Sequence, residues 1–297
     1  MIVALEVPSD IDLALFSAFL NQQGIAHRIS EEGVNLVVWV EREEERARVV
    51  HLYTRVSSGE IVLKGEDGRQ TKPATFSRRL AANLWRYPLT MALIAINLIL
   101  LPIGLNTTAL LHENSLLHSM TLLQFELIGR DLFFATLAET FIAGEFWRLL
   151  TPMFLHFSWL HIVFNMLWVW EIGRRIELLA GTSTLLLVTL VSSLGANLTQ
   201  YIMGGAGLFG GMSGVVFGYL GYCLVWDRLV PDQSTGLRPA IYWVMLAFLV
   251  LGFTGAFDLL QLGALANGAH LGGLVCGSVT GAIAVMLHRS LPDPRQG

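Results

Sequence analysis

Four polar side chains stand in otherwise apolar stretches of this 297-residue chain. Ser213 lies in Gly210-Gly211-Met212-Ser213-Gly214, and His270 in Asn267-Gly268-Ala269-His270-Leu271-Gly272-Gly273. His161 and Asn165 are four residues apart, which places them on one face of a helix. A polar group inside a membrane span is costly, so each of the four is a candidate for function. A serine beside a histidine is the minimal activated nucleophile, because the imidazole takes the hydroxyl proton. Attack on a carbonyl leaves a negative oxygen. Donors at positions 161 and 165, with the N–H groups of a helix starting at Ser213, are suited to hold it. No acid lies within a turn of His270, and Asp258 is twelve residues upstream, so the pattern favours a dyad over a triad. Ser213 is not in G-x-S-x-G, since the second residue after it is Val215. The nucleophile elbow of soluble hydrolases therefore does not apply.

Each piece has a plainer reading. A glycine-flanked serine in a span usually packs, and a lone membrane histidine is often a satisfied interior group or a cofactor ligand. The specific signal is the conjunction, and the elements around it make it geometrically feasible. Gly214, Gly218 and Gly221 form one small-residue stripe, and Gly273 and Gly277 form a GxxxG pair below His270. Such spacing lets two helices pack with their backbones nearly touching. Charge-free runs of span length occur at Pro88–His112, Leu149–Trp170, Leu178–Trp226, Pro239–Phe257 and Leu259–His288. The third is 49 residues long and is broken by the glycine-rich stretch 204–211, a turn between two spans. Six helices are predicted: 88–105, 153–172, 183–203, 212–229, 239–254 and 267–288. Arg78, Arg79, Arg86, Arg174, Arg175, Arg228, Arg238, Arg289 and Arg295 all fall on one side if these helices alternate. Basic loops mark the cytoplasm, so both termini are expected inside and the Ser213 end outside.

The rest of the composition sets the frame. Of the 42 charged side chains, 23 fall in the first 86 residues. One soluble globule and a disordered chain are both excluded. A net charge of −4 without a dense basic stripe argues against nucleic acid as a partner. Cys223 and Cys276, both in apolar runs, build neither a disulfide framework nor a metal site. No cofactor is expected. Residues 1–60 read as a small α+β domain, with strands at Ile2–Val7, Ile25–Ile29 and Val34–Val40 and helices at Asp10–Gln23 and Glu41–Thr54. Asp10 is a candidate cap, and the Glu41–Glu45 cluster suits the first turn of the second helix. A polar linker, 61–87, leads to the membrane domain, 88–297. The predicted class is thus an all-α six-helix membrane bundle behind a small α+β cytosolic domain.

At this point the chain resembles the rhomboid intramembrane serine proteases of the bacterial GlpG type. The resemblance rests on Trp147-Arg148, the run from His156 to Asn165, the Gly173…Glu177 helix end, Gly211-Met212-Ser213-Gly214 and Ala269-His270-Leu271-Gly272-Gly273. The N-terminal domain also resembles the cytosolic domain of that type. The resemblance implies a serine endopeptidase of the bacterial inner membrane, acting on proteins with a transmembrane segment. It implies Ser213 as nucleophile, His270 as general base, and His161, Asn165 and the Ser213 N–H as the oxyanion hole. Gly211, Gly214, Phe217 and Gly273 would support them. It also implies a first loop half-buried in the outer leaflet, and a fifth helix with the loop 253–268 gating lateral access. One departure is visible: that type commonly has tyrosine four residues after the nucleophile, where this chain has Phe217. A ring there can still stack on His270.

Other polar groups read more blandly. His156 is a pocket-lining or satisfied loop-edge histidine, Glu177 a hydrogen-bond anchor and Arg148 a structural group. Glu171 can pair with Arg174 or Arg175, and Asn197, Gln200 and Thr254 suit interhelical hydrogen bonds. Two other functions compete. A non-catalytic rhomboid-like binder of transmembrane segments, acting in membrane quality control, usually lacks the serine or the histidine, and both are present. A transporter with a broken helix predicts internal repeats and midplane charges, and neither is found.

Overall fold

The chain divides into two units, residues 1–85 and 86–297. The computed structural model describes residues 2–9, 11–63, 83–106, 115–255 and 265–290. Asp10, Arg78, Arg79, Asp258 and Arg295 lie outside the described residues.

In the first unit, alternating apolar residues build β1 (Ile2–Pro8), β2 (His27–Glu32) and β3 (Asn35–Val40), with helices α1 (Ala14–Gln22) and α2 (Glu43–Ser57). The sheet order is β1-β3-β2, antiparallel throughout. Gly33 opens the two-residue turn between β2 and β3 with φ 62°, the backbone such a hairpin needs. Phe16, Leu20, Ile25, Val38, Val40 and Val49 form the core. At the start of α1, Asp12 Oδ1 accepts the Ala14 N–H at 2.8 Å. Glu43, Glu44 and Glu45 occupy the first turn of α2, where the macrodipole favours acids. Ser17 Oγ lies 2.7 Å from His27 Nε2, and His27 Nδ1 lies 2.9 Å from the Ile25 carbonyl. A carbonyl only accepts, so Nδ1 carries the proton and Ser17 donates to Nε2, tying α1 to β2.

The second unit opens with α3 (Pro88–Leu105). Glu177 caps it: its carboxylate accepts the N–H groups of Leu89 (2.8 Å) and Thr90 (2.9 Å) and the Thr90 hydroxyl (2.7 Å). These are donors the helix leaves unsatisfied. The following segment contains α4 (Leu116–Met120), strands β4 (Phe125–Ile128) and β5 (Asp131–Phe134), and α5 (Leu137–Ile142). The two strands pair as an antiparallel hairpin. The membrane domain is therefore mostly helical rather than all-α. Gly129, with φ 69°, supplies the hairpin turn. Arg148, only 2% exposed, cross-links this segment. It pairs with Glu145 at 2.5 Å and donates to the carbonyls of His118 and Thr121. The guanidinium hydrogen bond holds the Glu145 carboxyl below its ordinary range.

Two 3-10 turns, Phe146–Leu149 and Thr151–Phe154, precede α6 (Trp159–Trp168). This corrects the expected start of the second helix at 153. Pro152 sits in a turn, and Ser158 is the cap, its Oγ accepting the His161 N–H at 3.2 Å. A π turn (Val169–Gly173) carries α6 directly into α7 (Arg174–Ala180). Glu171 pairs with both Arg174 and Arg175. The remaining helices are α8 (Thr182–Gly204), α9 (Ser213–Leu229), α10 (Pro239–Phe253) and α11 (Asn267–Ser290). Among the described residues, α3, α8 and α11 are long and apolar enough to cross a bilayer, and α10 is a shorter apolar helix.

Helix α9 is the centre of this unit, with every residue from Gly214 to Cys223 buried. It packs on α11 by backbone contact. A Cβ at Gly273 would lie 1.8 Å from the Gly214 carbonyl oxygen, and one at Gly277 1.9 Å from that of Gly218. Only hydrogen fits at those two positions. Helix α8 closes on α11 the same way, since a Cβ at Gly272 would lie 2.5 Å from the Gly195 carbonyl oxygen.

Candidate active site

The loop from Gly205 to Met212 delivers Ser213 to the first turn of α9. It threads tightly against the turn before α6. A Cβ at Gly210 would lie 2.7 Å from that of Leu155, and the Gly211 N–H donates to the Pro152 carbonyl at 2.9 Å. Gly211 has φ 110°, a conformation other residues adopt only with strain. The Val216 N–H is the first to find an intrahelical acceptor, Met212 O. The N–H groups of Ser213 and its two successors thus belong to the open end of the helix.

His270 sits in the first turn of α11. Gln200, near the end of α8, holds that turn by accepting the Ala269 N–H at 3.1 Å. The close packing of α9 on α11 then brings His270 Nε2 to 2.9 Å from Ser213 Oγ, although 57 residues separate them. The imidazole is 3% exposed and flanked by two rings. Phe217 lies 4.8 Å away with planes at 30°, and Phe248 6.1 Å away at 48°. Among the described residues His270 Nδ1 has no hydrogen-bond partner, so no carboxylate stands behind the imidazole there. With Nε2 facing a hydroxyl, the pair can move a proton from Ser213 to His270.

His161 and Asn165 converge over Gly211. A Cβ there would lie 2.6 Å from His161 Nε2 and 3.3 Å from Asn165 Nδ2. Two side-chain nitrogens therefore gather over Gly211, two residues before Ser213 and the open start of α9, a cluster suited to a developing oxyanion. A cavity of about 10 Å³ beside Ser213 is lined by Ser193, Asn197, Gly211, Gly214 and Ala269. That is about the volume one water needs. Asn197 Nδ2 donates to the Leu149 carbonyl at 2.8 Å, so it fixes the 3-10 turn against α8. Thr254 donates to Leu251 O within its own helix end. Among the described residues, no cluster of three metal-ligating side chains occurs.

Sequence reasoning undervalued His156, which is fully buried and touches Asn165. It also missed Gly104: a Cβ there would lie 2.2 Å from the His156 carbonyl oxygen. Only the five-residue spacing of His156 from His161 hinted at the first. Nothing local marked the second.

Residues 143–287 match the Rhomboid domain family model and residues 1–67 match the Rhomboid N-terminal domain model. The chain is 38% identical over 133 residues to the "Rhomboid protease GlpG" of Yersinia pestis (strain Pestoides F), covering 45% of this chain and 46% of that protein. The proteins of the same name from Yersinia pseudotuberculosis serotype O:3 (strain YPIII) and Serratia proteamaculans (strain 568) match to the same extent. The matched region thus spans less than half the length of these relatives.

Proposed function

We propose that this chain is an intramembrane serine protease that hydrolyses peptide bonds in or near transmembrane segments of other membrane proteins. The observation that carries the reading is the 2.9 Å contact between Ser213 Oγ and His270 Nε2 in a glycine-built helix interface. Ser213 attacks the scissile carbonyl while His270 takes its proton. His161, Asn165 and the Ser213 N–H receive the oxyanion. Collapse of the tetrahedral species, with His270 returning the proton to the leaving amine, gives an acyl-enzyme. Water activated by the same imidazole then releases the acyl group. Six spans, both termini in the cytoplasm and a bacterial inner membrane complete the proposal. The relatives named Rhomboid protease GlpG support it, and so does the apolar character of the helices. The presence of both serine and histidine favours it over a non-catalytic binder.

The test is a fluorophosphonate label together with cleavage of a reporter membrane protein. Wild-type chain should label and cleave, and Ser213→Ala and His270→Ala should each abolish cleavage with the fold intact. Residues that act as a unit are non-additive, so the double variant should be no worse than either single one. Ser17, hydrogen-bonded to His27 in the first unit, makes Ser213→Ala the necessary labelling control. Cleavage at the wild-type rate by Ser213→Ala would overturn the mechanism.

A further inference from the structure

We infer that His156 is a positioning residue that selects which end of the Asn165 amide faces the nucleophile; the inference rests on the proposed protease reading. Three facts carry it. His156 is fully buried, and its Nε2 has two neighbours within hydrogen-bond distance: Asn165 Nδ2 at 3.0 Å and the Met212 backbone N–H at 3.4 Å. The Met212 N–H can only donate, so Nε2 is the unprotonated ring nitrogen and an acceptor. An acceptor facing Asn165 requires the amide nitrogen there, because the carbonyl oxygen would oppose it lone pair to lone pair.

The consequence reaches the chemistry. An amide nitrogen carries two hydrogens. One is bound by His156, which leaves the second N–H for the side facing Gly211, where a Cβ would sit 3.3 Å from Nδ2. Were the amide turned over, Asn165 would present a carbonyl oxygen to the developing oxyanion and repel it. His156 therefore converts an ambiguous side chain into a donor. It also links the amide, through the same ring nitrogen, to Met212, the residue before the nucleophile, so donor and nucleophile share one anchor. Gly104 completes the arrangement, since only a residue without a Cβ lets α3 pass the His156 backbone.

The experiment compares kcat and KM of the full chain in detergent for wild type, Asn165→Ala, His156→Phe, His156→Gln and the double variant His156→Phe/Asn165→Ala. Small misplacements of a catalytic group cost up to about 10²-fold. His156→Phe should lower kcat roughly 10- to 100-fold at unchanged KM. His156→Gln, whose side-chain oxygen can accept the same hydrogen, should recover most of that loss. In the Asn165→Ala background His156→Phe should add nothing, because the residue it orients is gone. His156→Met, of similar bulk and more adaptable shape, serves in the same comparison should the phenylalanine lower the melting temperature. Wild-type kcat in the non-accepting variants, or a loss of full size without Asn165, overturns the inference. Ser213→Ala and Asn165→Ala separate the two levels. If both are impaired while His156→Phe is not, only the positioning role falls. If Ser213→Ala still cleaves, the protease reading itself falls.

Discussion

At the scale of single residues, the imidazole of His270 is flanked by two rings, and among the described residues no acid backs it. Phe217 lies one turn inside Ser213 on α9 and is 2% exposed, with its ring 4.8 Å from the imidazole. Truncating a buried aromatic costs about 3–5 kcal/mol in soluble cores, and less where lipid or neighbouring helices close the gap. Freeing a catalytic group can cost about 10²-fold in rate. Phe217→Ala should therefore lose more activity than thermal stability, whereas Phe217→Tyr should keep both fold and cleavage. Cleavage rate beside melting temperature in detergent decides it. A wild-type rate for Phe217→Ala would make the ring a packing residue only.

At the scale of elements, the site depends on how closely α9 and α11 approach. A methyl group at Gly273 would collide with the Gly214 carbonyl oxygen at 1.8 Å, where ordinary contact begins near 3.4 Å. The colliding atom is backbone, so the helices must part by more than an ångström. Overpacking of this kind costs about 1–3 kcal/mol, and here it also separates Ser213 from His270. Gly273→Ala should thus lower the melting temperature and abolish cleavage together. Gly207→Ala is the control, because a Cβ there meets nothing within 4 Å. Equal behaviour of the two variants would show that the glycine interface does not set the dyad distance.

At the scale of the whole molecule, the placement of the basic residues predicts an orientation. The arginines at 174, 175, 228 and 238 flank one set of helix ends, and the Ser213 turn lies at the other. With the cytoplasm on the basic side, a cysteine at position 115 should face outward and one at position 234 inward. A membrane-impermeant thiol reagent on intact cells should label Ser115→Cys and spare Ser234→Cys. The unsubstituted chain is the baseline, since Cys223 is buried and Cys276 half-buried. Labelling of position 234 alone would reverse the orientation.

Much of this was legible in the amino acids themselves. Charge-free runs of span length located α3, α8, α9, α10 and α11 to within a few residues, because lipid-facing and core-facing positions are both apolar. Alternation in residues 1–60 likewise announced three strands and two helices. The four polar residues stood out because burial makes them expensive, and the glycine spacing pointed to close packing. Other features depended on contacts between distant segments. The β4–β5 hairpin is four residues a side in a segment that reads as loop, and its register comes from pairing rather than from any long apolar pattern. The second helix begins at Trp159 because Ser158 caps it and Pro152 is held in a turn that receives the Gly211 N–H. The 2.9 Å between Ser213 and His270, the capping of α11 by Gln200 and the grip of His156 on Asn165 all join residues remote in sequence. Sequence pattern reports which face of an element is buried. Which atoms meet there is decided by how near two backbones can come, and that distance exists only once the helices have packed.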